Sequence, residues 1–360
     1  MASGISVYLG LDYSLEANLE YIKVAKDAGF SRIFTSLHIP ETNHQQLLAE
    51  FKTMITYANS LNMMVIADIS PDGYHYLGIQ NGDLTKLKQF GIAGLRLDYG
   101  FHPKLIAEYT RNDCGLLIEL NASTMTEKFM AEIISCQPKL TNLSACHNYY
   151  PRKNTGISLS SLMRKNKLFH DYGIPVSAFV GLPTNRRAPL YEGLPTVEST
   201  RELHPLITWQ ILSQTGIDHI FIGDSLANSS LLEQISHLKT GEVLLLCDEF
   251  DSKYAYLLDI THTNRPDSAA DVVRSQESRL CLLENINLRH QVIPENCCER
   301  KIGSVTVDNI NYLRYSGEMQ ICRCDLESDE RVNVIGKLTM DSRLLLPYID
   351  DDCKFRLMKI

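Results

Sequence analysis

One phrase recurs along the first two thirds of the chain: an amphipathic segment, a Gly or Asn that ends it, and a short apolar run. In the first copy, apolar residues recur at helical spacing from Leu15 to Ala25, behind a candidate N-cap at Ser14. Gly29 follows, where a helix end favours a left-handed residue, and the apolar run 32–36 comes next. Each copy therefore predicts a helix followed by a β-strand.

Eight apolar runs of this kind precede residue 240. We predict strands at 7–9, 32–36, 64–67, 94–97, 116–120, 140–145, 175–180 and 219–222. Apolar runs separated by helices are typical of a parallel sheet buried on both faces. Eight units favour a closed barrel, and no Gly-rich dinucleotide or phosphate-loop motif follows any run. The predicted fold class is α/β, with a (β/α)₈ TIM-like barrel over residues 1–240.

The sequence changes in character after Gly241, where helical periodicity gives way to short runs rich in β-branched and aromatic residues. A barrel uses roughly 250 residues and leaves about 110 for a second unit. We therefore predict a small β-rich domain over residues 241–360. Its predicted strands are 243–246, 254–258, 304–307, 312–315, 319–322 and 332–338.

Charge and composition exclude several classes of function. The formal net charge of -8 argues against nucleic acid as a partner. The N-terminus has no basic region followed by an apolar run, and no stretch is long enough to span a bilayer, so we expect a cytoplasmic protein without a membrane partner. The close cysteine pairs lack zinc spacing, and Pro40 breaks any helix that would gather His38, Glu41 and His44. We expect no metal and no cofactor.

Polar side chains lie at the carboxyl end of nearly every predicted strand, which is where barrels of this kind carry their reactive groups. Strand alternation places Arg96 with Asp98, and Glu119 with Asn121, on one side of the sheet. Several carboxyls would then converge. Glycoside cleavage requires this, because one carboxyl donates a proton while a second attacks the sugar or activates water.

Structural interpretations stay open for Asp98 and for Asp224, which follows the eighth predicted strand. Asp98 is also explained as an ion-pair partner of Arg96, and Asp224 as the cap of a helix that begins near Leu226. A carboxylate inside an apolar strand is costly without a purpose. Glu119 is therefore the strongest functional candidate of the set.

The segment 181–196 is too rich in Gly and Pro for a helix, and we predict it as a loop over the barrel mouth. It follows the seventh strand, and loops after strands seven and eight often hold phosphate in this fold. Arg186 and Arg187 are candidate phosphate ligands through charge-assisted hydrogen bonds, and Glu192 is a candidate substrate contact. A solvated basic pair is the alternative.

Longer motifs surround these positions in both parts of the chain. They are Gly4-Ile-Ser-Val-Tyr8, Phe34-Thr-Ser-Leu-His-Ile-Pro-Glu41, Asp68-Ile-Ser-Pro71, Leu95-Arg-Leu-Asp-Tyr-Gly-Phe101, Leu120-Asn-Ala-Ser-Thr124, His147-Asn-Tyr-Tyr-Pro-Arg152, Arg187-Ala-Pro-Leu-Tyr-Glu-Gly-Leu-Pro-Thr196, Arg274-Ser-x-x-Ser-Arg279, Asp308-Asn309, Arg314-Tyr-Ser-Gly-Glu318 and Asn333-Val-Ile-Gly336. Together they make the chain resemble the bacterial 6-phospho-N-acetylmuramidases over its whole length. Ala188 departs from the family pattern, which usually has Gly there; the added methyl group bears on the loop rather than on the chemistry.

The resemblance implies a TIM-like barrel followed by a cyclophilin-like β domain. It implies hydrolysis of the β-1,4 bond between N-acetylmuramic acid 6-phosphate and N-acetylglucosamine, in peptidoglycan turnover and recycling, after uptake by a phosphotransferase transporter. The partner is then a small phosphorylated amino-sugar disaccharide. A homodimer is compatible with a barrel, but no sequence feature supports it.

For that reaction, strand position favours Asp98 and Glu119 as the carboxyl pair, with Glu41 in reserve. The predicted substrate contacts are His38, Asp68, Asn121, His147, Asn148, Arg186, Arg187, Glu192, Asp224 and, from the second domain, Arg314. An acetamido group acting as the nucleophile is an open alternative, in which one carboxyl only orients the amide. A phosphosugar aldolase or isomerase is disfavoured because no predicted strand ends in Lys, and a barrel that only binds carbohydrate stays open.

Overall fold

The computed structural model describes residues 2–36, 44–69, 82–284 and 291–360. The chain divides into two compact units, Met1–Ser236 and His237–Ile360.

The first unit is a closed barrel of eight parallel strands in sequence order, with β1 paired to both β2 and β8. Its strands are β1 (Ala2–Ser6), β2 (Arg32–Ser36), β3 (Met64–Ile69), β4 (Gly94–Leu97), β5 (Leu117–Asn121), β6 (Leu143–Cys146), β7 (Val176–Val180) and β8 (His219–Ile222). The helices in its described part are α1 (Leu15–Asp27), α2 (His44–Ser60), α3 (Leu84–Gln89), α4 (Pro103–Thr110), α5 (Glu127–Ser135), α6 (Leu159–His170), α7 (Pro205–Gln214) and α8 (Ser229–Ser236). This architecture confirms the predicted α/β barrel.

The first strand lies earlier than predicted. The run 7–9 follows β1 instead of forming it, although the Val7 backbone N–H still bonds to β2. The cause is the small side chains of β1, which produce no apolar run. A Cβ atom added at Gly4 would lie 2.3 Å from the ring of Phe221, so this strand must be small for the barrel interior to fill.

Local capping signals at α1 act as the sequence predicts. The Ser14 side chain accepts a hydrogen bond from the Ala17 backbone N–H at 3.3 Å. Gly29 follows the helix with φ at +88°, a conformation that L side chains rarely adopt. The same pattern at α5, where Thr126 caps the Phe129 N–H, fixes the helix that follows β5.

The barrel interior has an aromatic half. Phe34 on β2 and Phe179 on β7 meet with ring centroids 5.1 Å apart, and Phe179 meets Phe221 on β8 at 5.7 Å. Because β2 and β7 are not neighbours in the sheet, their side chains meet only by pointing inward. Tyr8 and Tyr149 pack on this cluster. The polar side chains of β3 to β6 form the other half, described below with the site.

The second unit is a mixed seven-stranded sheet in the order β10-β15-β9-β14-β12-β13-β11. Its strands are β9 (Glu242–Phe250), β10 (His262–Thr263), β11 (Val272–Arg274), β12 (Ser304–Asp308), β13 (Met319–Cys322), β14 (Val332–Leu338) and β15 (Lys354–Lys359). A short helix, α9 (Ser278–Glu284), lies between β11 and β12. Only β9 and β15 pair in parallel within this sheet as described.

Two strands predicted for this unit are wrong. The runs 254–258 and 312–315 fall largely on 3₁₀ helices, Ser252–Leu257 and Ile310–Tyr315. Each helix begins behind a side-chain cap: Asp251 accepts from the Lys253 N–H at 2.9 Å, and Asn309 accepts from the Asn311 N–H at 3.0 Å. The caps favour turns, which outweigh the strand preference of the aromatic residues behind them.

No helix in the described ranges is long and apolar enough to cross a bilayer.

A buried carboxyl pair lies across β12 and the start of β13. The Asp308 backbone N–H bonds to the Glu318 carbonyl at 3.0 Å, so the two side chains are cross-strand neighbours. Glu318 accepts a hydrogen bond from Arg274 at 2.8 Å, whereas Asp308 Oδ1 has no partner among the described residues. Burial is the main cause that raises the pKa of Asp308 to about 7, and the nearby Glu318 and Asp329 carboxyls contribute to the same shift.

We expect the stability of the wild type to fall as the pH rises from 5 to 8, and we expect Asp308→Asn to remove this dependence on pH. The unfolded chain titrates this carboxyl near 3.8, so the fold favours its protonated form. The stability that this protonated carboxyl contributes is fully present below about pH 4 and is lost as the pH rises through 7. The free energy of unfolding of the wild type therefore falls by about 2–4 kcal/mol over this range. Urea unfolding at pH 5 and pH 8 measures it, with the exposed Asp248→Asn as the control. An equal pH slope in wild type and Asp308→Asn would contradict this assignment.

Candidate active site

The polar half of the barrel is organised by strand register. Asp68, Arg96, Glu119 and Ser144 are direct partners across β3, β4, β5 and β6, so they form one row across four neighbouring strands. Their side chains point to the same side as Phe34, because Phe34 and Asp68 have the same parity through the pairing of β2 with β3. A row of charged and polar groups therefore lies inside the barrel, below its mouth.

Arg96 is the centre of this row and is 3% exposed. Its Nη1 lies 3.3 Å from Asp68 Oδ1 and 3.5 Å from Asp98 Oδ1, and its Nη2 donates to Asn148 Oδ1. Burial opposes the charge, but Asp68, Asp98 and Glu119 hold the pKa of Arg96 above its ordinary value. One guanidinium thus links Asp68 on β3 with Asp98 after β4 and Asn148 after β6.

Asp98 is the carboxyl that reaches the mouth, with a side chain 30% exposed. Its Oδ1 accepts from Arg96 and from Asn121 Nδ2 at 3.1 Å. Within the described part of the chain, Oδ2 has no hydrogen-bond partner. A cavity of about 480 Å³ opens beside it. The cavity is lined by Leu97, Asp98, Tyr99, Gly100, Phe101, Ile106, Leu120, Asn121, Thr124, Met125, Phe129 and Asn148.

Glu119 lies deeper in the barrel than Asp98 and is 1% exposed. Its Oε2 accepts from Ser144 Oγ at 3.2 Å, and its Oε1 has no partner among the described residues. Burial raises the pKa of Glu119, while Arg96 and Ser144 oppose that shift. Glu119 does not line the cavity. The two predicted carboxyls share a side of the sheet but differ in depth, because Glu119 pairs with Arg96 and not with Asp98.

His147 is fully buried and belongs to a hydrogen-bond chain behind Asn148. Asn166 Nδ2 donates to the Thr215 carbonyl, so Asn166 Oδ1 accepts from His147 Nε2 at 2.9 Å. Ser123 Oγ accepts from the Asn148 N–H at 2.9 Å and lies 3.2 Å from His147 Nδ1, to which it donates. Burial lowers the pKa of His147 to about 4, so the ring is neutral near pH 7. The structure places His147 behind the cavity wall, where it fixes Asn148.

Asp224 pins the loop that follows β7. It is fully buried; Oδ2 accepts from the N–H groups of Leu182 and Leu194 at 2.8 and 3.0 Å, and Oδ1 from that of Arg187 at 3.0 Å. Burial raises the pKa of Asp224, and the three N–H groups oppose the shift. The helix-cap interpretation is wrong, because α8 begins at Ser229, behind Asn228.

The two arginines of this loop have different surroundings. Arg186 pairs with Glu202 at 2.6 Å and donates to the Leu182 carbonyl at 2.9 Å. The Arg187 guanidinium lies 4.6 Å from the ring centre of Tyr8 and 5.2 Å from that of Tyr149, and it donates to the Tyr149 hydroxyl at 3.0 Å. The sequence predicted one basic pair at these positions, and it gave no signal that Tyr8 and Tyr149 would contact Arg187.

Four predicted site residues remain, Glu192, Arg314, His38 and Glu41. Glu192 accepts from the Lys153 N–H at 2.7 Å. Arg314 belongs to the second unit, where it is exposed and donates to the Tyr315 hydroxyl at 2.9 Å. His38 and Glu41 lie outside the described residues. Within those residues, no group of three His, Cys, Asp or Glu side chains is arranged to hold a metal ion.

The fold and this cluster define a TIM-barrel protein whose mouth carries a carboxylate held by a buried arginine. The sequence model of the 6-phospho-N-acetylmuramidase N-terminal region matches residues 3–237, and that of the C-terminal region matches residues 244–358. The chain belongs to the 6-phospho-N-acetylmuramidase family, whose name denotes a glycoside hydrolase.

Two crystal structures are similar over both units. A conserved protein from a locus in Enterococcus faecalis, of unknown function, is 32% identical with a TM-score of 0.82; the match covers 100% of this chain and 96% of that one. An uncharacterized B. cereus protein is 30% identical with a TM-score of 0.85, and the match covers 99% of each chain. No curated protein matches the chain. These similarities support the architecture of both units.

Replacing Asp224 by Ala is expected to release the loop 181–196. Three backbone N–H groups lose their acceptor, and buried donors left unsatisfied cost about 1–3 kcal/mol each. We expect lower stability in urea and faster tryptic cleavage after Arg186 and Arg187. Asp171→Ala, which removes only an exposed pair with Lys167, is the control. Unchanged cleavage of the Asp224 variant would show that the carboxylate does not hold the loop.

Proposed function

We propose that the protein hydrolyses the β-1,4 bond of N-acetylmuramic acid 6-phosphate-N-acetylglucosamine at the barrel mouth. The observation that carries this proposal is Asp98, a carboxylate beside a cavity of about 480 Å³ with one oxygen that has no partner among the described residues. Family membership supplies the reaction, and the mouth supplies an acidic group and an arginine of the kinds that cleavage of an anionic sugar needs.

The proposed carboxyl pair, Asp98 and Glu119, has divided roles. Asp98 contacts the sugar. Glu119 is a positioning residue that acts through Arg96, because it is buried and absent from the cavity lining. Protonation of the leaving oxygen then requires another carboxylic acid at the mouth, and Glu41 is the candidate that the sequence offers.

The 6-phosphate is proposed to bind at Arg187 in preference to Arg186. Arg186 is already neutralised by Glu202, whereas the aromatic rings around Arg187 carry no full charge. A phosphate would gain charge-assisted hydrogen bonds from Arg187 without displacing a carboxylate. Asp224 contributes indirectly, since it fixes the Arg187 backbone.

The cellular setting is part of the same proposal. A phosphorylated disaccharide formed on uptake by a phosphotransferase system is consumed in the cytoplasm, during peptidoglycan turnover and recycling. We propose a cyclophilin-like identity for the second unit, supported by its β-rich mixed sheet and the match of the family's C-terminal region.

Turnover of the 6-phosphorylated disaccharide by Asp98→Asn and Glu119→Gln tests the assignment of the carboxyls. We expect Asp98→Asn to lower kcat by about 10³-fold, because the variant loses the carboxylate charge that contacts the reacting sugar. Glu119→Gln should lower kcat less and shift its pH profile, because it changes the charge beside Arg96. Asp171→Asn, on the exposed end of α6, is the control, and circular dichroism reports folding. Wild-type rates in both variants would remove the pair from the mechanism.

Comparing phosphorylated with plain disaccharide tests the arginines. We expect Arg187→Ala to lower kcat/KM by about 100-fold on the phosphorylated substrate only, since a charge-assisted bidentate contact contributes about 3 kcal/mol. Arg186→Ala should affect both substrates alike through the loop, and the double variant should behave as the sum. Equal losses on both substrates for Arg187→Ala would assign it to loop structure.

A further inference from the structure

The cavity beside Asp98 has two chemically different ends. Asp98, Asn121 and Asn148 form its polar end, at the barrel mouth. Phe101 and Ile106, before and on α4, and Phe129 on α5 belong to its apolar end, with Leu97, Leu120 and Met125. We infer that this cavity is a subsite for the N-acyl group of the muramyl unit, with room for acyl groups larger than acetyl. The inference rests on the proposed function.

The polar end offers one acceptor and one donor. Asp98 Oδ1 is occupied by Arg96 and Asn121, which leaves Oδ2 to accept. Asn148 Oδ1 is occupied by Arg96, which fixes the amide orientation and leaves Nδ2 to donate, without a partner in the described ranges. The Asn148 backbone is held as well, by Ser123 Oγ and by Thr196 Oγ1. Both groups are held by one guanidinium, so they lie side by side.

A secondary amide complements this pair. Its N–H donates to Asp98 Oδ2, its carbonyl accepts from Asn148 Nδ2, and its acyl chain then extends toward the apolar end. An anionic substituent does not fit, because Asp98 repels it and Arg96 is already paired with Asp68 and Asp98. The phosphate and the lactyl carboxylate are therefore directed away from this cavity.

The volume determines how large the acyl group can be. A cavity of about 480 Å³ falls within the ~300–1,000 Å³ of pockets that hold whole small ligands. An acetyl methyl group leaves most of the apolar end unfilled. Each further CH₂ group buried there contributes about 0.8 kcal/mol, which is about fourfold in kcat/KM.

Kinetics on a substrate series tests this subsite. The probes are muramyl-glucosaminyl disaccharide 6-phosphates with an N-acetyl, N-propanoyl or N-butanoyl muramyl unit, and one with a hydroxyl group in place of the amide. We expect kcat/KM to be retained or raised about fourfold from acetyl to propanoyl. For the hydroxyl analogue we expect a fall of at least about tenfold, because its O–H still donates to Asp98 Oδ2 but it has no carbonyl to accept from Asn148 Nδ2 and no acyl chain.

Thr124→Phe supplies the structural arm of the test. Thr124 is exposed at the cavity rim, so a phenyl group there fills the cavity without repacking the core. We expect the N-butanoyl to N-acetyl ratio of kcat/KM to fall at least about tenfold. Thr53→Phe, the same change at an exposed position on α2, should leave the ratio at the wild-type value.

The outcomes separate the two proposals. If the wild type cleaves none of the disaccharides, the proposed function fails. If it cleaves the N-acetyl substrate but treats the hydroxyl analogue equally well, or rejects N-propanoyl, or if Thr124→Phe leaves the acyl-length ratio unchanged, the subsite inference is overturned while the hydrolase proposal stands.

Discussion

The buried guanidinium of Arg96 is the constraint on which the candidate site depends. A cation inside a barrel is costly unless carboxylates and hydrogen bonds compensate it. Asp68 and Asp98 supply the negative charge, and Asn148 supplies an acceptor, so residues from three strand ends take fixed positions around one group. Asp98 in turn is oriented by Asn121. The mouth is therefore assembled by one charge that the interior cannot leave unpaired.

The interior is divided by chemistry as well as by strand. Phe34, Phe179 and Phe221 fill one half with aromatic rings, and the residues around Arg96 fill the other with charges. Arg187 lies above the aromatic half, against Tyr8 and Tyr149. The site thus has two cations in different settings: one is neutralised by carboxylates, and the other is bounded by rings. Because of this difference, we propose that the phosphate of the substrate binds at Arg187 and that its amide binds at Asp98 and Asn148, which Arg96 holds in place.

The sequence predicted those elements correctly whose side chains indicate by their own polarity whether they are buried. Most strands of the barrel were found, because apolar runs behind Gly stops report burial directly. The first strand was predicted at the wrong position because its small residues give no apolar run. The barrel requires Gly at position 4, since the ring of Phe221, 217 positions later in the chain, occupies the space of a Cβ atom. In the second unit, aromatic runs at 254–258 and 312–315 were interpreted as strands, although capping by Asp251 and Asn309 starts 3₁₀ turns. Asp224 was recognised as important, but its contacts with a loop distant in sequence were not visible.

The sequence by itself determined the barrel, the family and the parity of the site residues, because alternation along a strand depends only on local geometry. Only the tertiary structure decided how deep each of these side chains lies in the barrel. Register pairs Glu119 with Arg96 and leaves Asn121 beside Asp98, and register is set by pairing between strands rather than within one. For the same reason, the cavity between the loops and helices that follow β4 and β5 has no sequence signal: its lining residues meet only after the strands have aligned.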